Sequence, residues 1–141
     1  MLSIAVVQVD DEELNRRMWS RNALGERGRR RHWSWSAFDG CDLEEIVQAV
    51  RDYTASGRRI IFIQDYSLGR AGKGDVLWSR IWSRLTVDER VACILFAAYS
   101  GEPSGTAALM EAIRATTDFQ GQAIVIPKPC SADEFFALLP P

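Results

Sequence analysis

What the chain lacks narrows the field first. It has one histidine, His32, in 141 residues. A lone imidazole with no nucleophile or ligand set beside it argues against histidine catalysis. Its three cysteines, Cys41, Cys93 and Cys130, lie far apart with no C-x-x-C pair. Such an odd, scattered set fits reduced thiols in the cytoplasm, not a disulfide framework or a zinc site. No apolar run approaches the roughly 18 residues of a membrane span. The opening MLSIAVVQVDDEE has no basic n-region and turns acidic after its first run, so no secretory leader is expected. A formal net charge of -2 gives no electrostatic case for nucleic acid or an anionic membrane as partner. Internal repeats and low-complexity linkers are absent. Lysine is scarce as well: Lys73 and Lys128 stand among basic residues that are otherwise arginine.

What remains is the composition of one globular domain, 1–141, with 47% apolar and 26% charged residues. Short apolar runs alternate with amphipathic stretches. Leu2 to Val9 is rich in β-branched residues and barely alternates, as expected of a strand buried on both faces. Glu12 to Leu24 has helical spacing, and the basic GERGRRR is a solvated connection. His32 to Phe38 suggests a second strand near an edge, with Trp33 and Trp35 on one face of it, where a partner could dock. Asp42-x-x-Glu45 opens a second helix, in which Leu43, Ile46, Val47 and Val50 recur. Arg59 to Gln64 is a buried strand that runs into Asp65. GRAGKGD is expected to be a mobile loop. It lacks the leading glycine and the Ser/Thr that a nucleotide P-loop needs.

Leu77, Ile81 and Leu85 line the third helix. Val91 to Ala98 is the fourth strand, and Leu109, Met110 and Ile113 mark the fourth helix. Ala123 to Ile126 is the last strand, before Pro127-Lys128-Pro129. Ser131-x-x-Glu134 opens a final helix. Five strand-helix units in this order predict an α/β fold: a doubly wound, five-stranded parallel sheet with helices on both faces. Ligands of such sheets bind at the carboxyl ends of the strands. The residues there are Asp10 and Asp11, Asp65, Ala97 to Ser100, and Lys128.

Three carboxylates at one sheet end repel one another unless a cation joins them. Magnesium takes such oxygen ligands while keeping several waters. A carboxylate left partly free is a nucleophile toward a phosphoryl group, and an ammonium beside it neutralises charge on the transferring oxygens. Singly, each residue has a plainer reading. Asp10 and Asp11 fit a helix N-cap with first-turn acids, Asp65 a turn, and Lys128 a proline turn. The convergence of all four points to a pocket.

The segments VVQVDDEE, IIFIQD and IVIPKP, at matching strand ends, resemble the response-regulator receiver family over essentially the whole chain. The resemblance implies a flavodoxin-like fold and a signalling role without substrate turnover, beyond self-catalysed phosphotransfer and dephosphorylation. Asp65 would accept a phosphoryl group and Lys128 would contact it. Asp10, Asp11, Asp65 and the Ser67 backbone carbonyl would hold Mg2+, with Lys128-Pro129 in the cis form. The partners implied are a histidine kinase or phosphotransfer protein, a downstream effector, and a second copy in a homodimer.

Two positions depart from the family pattern. The switch hydroxyl of the fourth strand falls on Ala97, and the switch aromatic three residues before the lysine falls on Val125. Ser100 would supply a hydroxyl only if that strand ran three residues further. A second reading is therefore a pseudo-receiver, an interaction module that works without phosphate. A haloacid-dehalogenase-type phosphatase is disfavoured, because Asp65-Tyr66-Ser67 lacks its second aspartate.

Overall fold

The apolar runs form five strands, all parallel, in the order β2-β1-β3-β4-β5. The computed structural model describes residues 3–17, 33–128, 134, 137 and 138. In chain order the elements begin with β1 (Ile4–Val9), α1 (described over 13–17) and β2 (Ser34–Phe38). They continue with α2 (Leu43–Ala55), β3 (Arg59–Gln64), α3 (Gly74–Arg84) and α4 (Val87–Ala92). Last come β4 (Cys93–Ser100), α5 (Pro103–Ala115) and β5 (Gln122–Pro127). The chain steps outward from β1 to β2, then returns past β1 to β3 and on to the far edge. The reversal lies between β1 and β3, where a doubly wound sheet opens a crevice at its carboxyl end. This is the flavodoxin-like α/β architecture.

Both sheet faces are buried, which is why the strands read as near-continuous apolar runs. On one face Val7, Val9, Phe62, Phe96 and Ala98 pack with buried residues of α2, α3 and α5. Trp78 is the hub of that layer, 5.2 Å from the Phe62 ring and 4.7 Å from the Phe96 ring. Its indole N–H donates to Thr116 Oγ1 at 3.1 Å, and that of Trp82 to Asp118 Oδ1 at 2.8 Å. Both indoles are thus buried without losing a hydrogen bond. On the opposite face Ile4, Val6, Trp33, Ile61, Ile63, Leu95, Ala97, Tyr99 and Ile126 form a second buried layer. No helix among the described residues is long and apolar enough to cross a membrane.

The structure corrects three expectations. Val91 and Ala92 end a helix, and β4 starts at Cys93 and runs on to Ser100. The cause is a capping box in which Thr86 and Glu89 satisfy each other's backbone N–H, nucleating α4 before the strand begins. Two helices therefore join β3 to β4 where one was expected. The glycine-rich segment folds as a closed hairpin. Ser67 and Lys73 pair across it, and Leu68 is buried. Gly40, at φ +94°, lets this hairpin pack close, since a Cβ there would lie 3.1 Å from Ala71 and 3.2 Å from Leu68. Finally, Trp33 is buried, so it presents no exposed face, while Trp35 is half-buried and packed against the second layer. Arg27 to Arg31, His32, Pro129, Cys130 and Ser131 lie outside the described residues.

Candidate functional site

Backbone ladders deliver the two central carboxylates. The Asp10 N–H donates to the Phe38 carbonyl at 3.0 Å, and the Asp65 N–H to the Val9 carbonyl at 2.9 Å. Each aspartate thus sits one residue past its strand, tied to the neighbouring strand. Side chains alternate along a strand, so Asp10 shares its face with Ile4 and Val6, and Asp65 with Ile61 and Ile63. Lys128, two residues past Ile126, follows the same face at the end of β5.

The three side chains meet. Lys128 Nζ lies 3.4 Å from Asp10 Oδ2 and 3.3 Å from Asp65 Oδ2. Both aspartates are buried, and Lys128 is largely so. The Asp10 carboxylate is held further by the Glu12 N–H at 2.9 Å and by Asn15 Nδ2 at 3.3 Å. Asp65 Oδ1 accepts from the Tyr66 N–H at 2.8 Å. Asp11 is exposed, yet one oxygen from each of Asp10, Asp11 and Asp65 falls within 4.8 Å of the others.

The electrostatics follow from burial. Loss of water pushes the Asp65 carboxyl up to about 6, opposed by Lys128 and reinforced by Asp10. Burial works against the Lys128 charge, but the Asp10 and Asp65 carboxylates outweigh it and hold the ammonium above its ordinary value. Among the described residues, the three acids outnumber the Lys128 ammonium and the Arg16 guanidinium, which donates to the Asp10 backbone carbonyl at 2.6 Å. Hard oxygen donors converging with surplus negative charge fit a divalent cation such as Mg2+. Asp10, Asp11 and Asp65 are the residues that would hold it. The hairpin after Asp65 is closed by Leu68 N–H to Gly72 O and Gly74 N–H to Tyr66 O. Those bonds leave the Ser67 carbonyl outside the ladder.

The two switch positions lie apart from this cluster. Ala97 is level with Ile63, three residues before β4 ends, and is fully buried. Val125 pairs with Ala98, is 46% exposed, and by alternation faces away from Lys128. β4 does reach Ser100, but its hydroxyl points to the α5 side, where Oγ accepts the Glu102 N–H at 3.3 Å. A Cβ on Gly105 would lie 2.8 Å from that oxygen.

Sequence reading missed three contributors and held Tyr99 only within the run Ala97 to Ser100. Tyr99 is buried, with Lys128 Nζ 4.9 Å from its ring centroid. Asn15 fixes Asp10. Gln64, fully buried, donates from Nε2 to the Asp65 carbonyl at 3.0 Å, while its Oε1 has no partner among the described residues. Gly74 packs on the Asp65 carbonyl so tightly that a Cβ would lie 2.0 Å from it. Asn15 alone had a usable signal, its i+5 spacing from Asp10 at a helix start. The rest depend on where β4 ends and how the hairpin folds. No family model matches the chain, and a search of curated proteins finds no match either.

Proposed function

We propose that this chain is a phosphoacceptor domain of the receiver kind, working in two-component signal transduction. The observation that carries the reading is the Lys128 ammonium held between Asp10 and Asp65 at the carboxyl ends of β1, β3 and β5. An Asp65 oxygen attacks phosphorus of a phosphohistidine on a kinase or phosphotransfer protein. The O–P bond forms, the P–N bond breaks, and the imidazole keeps the electron pair. With its carboxyl at about 6, Asp65 is mostly ionised above pH 7 and able to attack. Lys128 offers a point charge to the transferred oxygens. Mg2+ bound by Asp10, Asp11, Asp65 and the Ser67 carbonyl would supply the remaining charge neutralisation. A downstream effector, or a second copy of the chain, would read the modified state.

A second reading has its own support. Ala97 offers no hydroxyl, Val125 faces away from Lys128, and the Ser100 hydroxyl is engaged elsewhere. Lys128 also bonds both aspartates directly. These features favour an interaction module that keeps the fold without the chemistry. Incubation with Mg2+ and acetyl phosphate, followed by intact mass, separates the two. The phosphoacceptor reading expects one added phosphoryl group that requires Mg2+ and disappears in Asp65→Asn. An unmodified wild type, with no response to beryllofluoride at millimolar Mg2+, would leave the interaction module standing.

A further inference from the structure

Tyr99 is the buried group that phosphotransfer chemistry leaves unused. It lies on the same sheet face as Ile63 and Ile126, and it pairs with Ile126, two residues before Lys128. Lys128 Nζ comes to rest over the ring, 4.9 Å from its centroid. The same nitrogen bonds Asp10 and Asp65. Three anchors thus hold one flexible side chain whose rotamer freedom would otherwise be large.

We propose that Tyr99 is a positioning residue: its ring keeps the Lys128 ammonium in the pocket and so sets affinity for a phosphoryl-type anion. The inference rests on the phosphoacceptor reading above. Its logic is competition among the anchors. Asp10 and Asp65 are the groups a divalent cation would recruit, and each oxygen shared with a metal holds the lysine less firmly. The ring face is the anchor a hard cation does not take. Its negative quadrupole attracts an ammonium, and more strongly where both are withdrawn from water. Tyr99 therefore matters little for binding Mg2+ alone and much for binding Mg2+ with an anion.

The test alters the ring's electrons without altering its size. Position 99 is replaced by Phe, and then by phenylalanines bearing one, two and three ring fluorines. Calorimetry measures Kd for Mg2+ alone, and Kd for beryllofluoride at saturating Mg2+. Tyr99→Phe is expected to stay within about two-fold of wild type, since the ring remains. Beryllofluoride affinity then falls stepwise with fluorination, to a total of about five- to thirty-fold, the range of a partly desolvated cation–π contact. Tyr99→Leu, which removes the ring, lies at or beyond the end of that series. The Kd for Mg2+ alone moves little throughout.

In a Lys128→Gln background the fluorine series becomes flat, because the residue through which Tyr99 acts is gone. In metal-free protein, ring-current shifts of the Lys128 methylene protons persist in the fluorinated variants and vanish in Tyr99→Leu. Wild type that binds beryllofluoride, with a flat fluorine series, overturns the role of Tyr99 and leaves the phosphoacceptor reading intact. Wild type that never binds beryllofluoride overturns both.

Discussion

Lys128 and Asp65 meet across 63 residues of sequence, the ammonium 3.3 Å from Oδ2 of the carboxylate. Asp10 closes the triangle at 3.4 Å. Removing the Lys128 ammonium leaves two buried carboxylates facing each other. Breaking a buried pair from one side costs about 3–5 kcal/mol. Lys128→Met is expected to lose about 3 kcal/mol of stability at pH 7 in metal-free buffer, measured by urea unfolding. At pH 5 the loss shrinks, because Asp65 at about 6 then carries a proton. An equal loss at both pH values would contradict the mutual repulsion of Asp10 and Asp65.

The raised Asp65 value gives a pH dependence of definite sign. Its carboxyl rises from 3.8 to about 6 on folding, so the folded state favours the protonated form. Below about pH 4 the group is protonated folded or unfolded, and its contribution is whole. Between about pH 4 and 6 the folded protein holds the extra proton, so this contribution falls as pH rises. In EDTA, Asp65→Asn is therefore expected to be more stable than wild type above pH 6, with the gap closing toward pH 4. Urea titrations of both proteins across that window check it, and a gap independent of pH rules it out.

Much of this arrangement was legible in the sequence, for physical reasons. Strands covered on both faces must be nearly all apolar, and Ile4 to Val9 and Arg59 to Gln64 declare themselves that way. In a parallel sheet the residues just past each strand share one end, which brought Asp10, Asp65 and Lys128 together before any coordinates. What stayed hidden turns on single-residue offsets. VACILFAAYS is one apolar run, and only the Thr86 and Glu89 side chains divide it into a helix end and a strand. A strand that ends at Ser100 and not Ala98 places Tyr99 beside the lysine and takes Ala97 out of reach. The hairpin after Asp65 depends on Leu68 finding a buried site near Gly40, a contact no local pattern announces.

Gly74 couples the hairpin to the site, and its substitution has a clear expected cost. A Cβ there would lie 2.0 Å from the Asp65 carbonyl oxygen and 3.0 Å from Tyr66 Cα. Both are backbone atoms, which cannot swing aside. The Gly74 N–H also donates to the Tyr66 carbonyl at 2.6 Å, so α3 cannot retreat without breaking that bond. Gly74→Ala is expected to lose about 3 kcal/mol or more, beyond ordinary overpacking. Gly101→Ala is the control, with nothing within 4 Å of the added Cβ. It should stay within about 0.5 kcal/mol of wild type, as surface substitutions do. Equal thermal midpoints for the two variants would show that Gly74 has more room than the structure gives it.

Asp10 and Asp11 are neighbours in sequence with opposite environments, and the difference separates folding from metal binding. Asp10 is 1% exposed and accepts from Glu12, Asn15 and Lys128. Asp11 is exposed, and its side chain reaches the carboxylate cluster from the solvent side. Asp10→Ala strands the Glu12 N–H and takes one acceptor each from Asn15 and Lys128, and is expected to cost about 2–3 kcal/mol in metal-free protein. Asp11→Asn should cost less than about 0.5 kcal/mol under the same conditions. Both remove a carboxylate from the proposed Mg2+ site, so both should weaken Mg2+ binding, by about ten-fold or 1.4 kcal/mol each. Added Mg2+ stabilises whatever binds it in proportion to its occupancy. The wild-type thermal midpoint should rise with Mg2+, and that of Asp11→Asn should begin at the wild-type value but rise less. If Mg2+ lifts Asp11→Asn as much as wild type, the exposed carboxylate is no ligand, and the site reduces to Asp10 and Asp65.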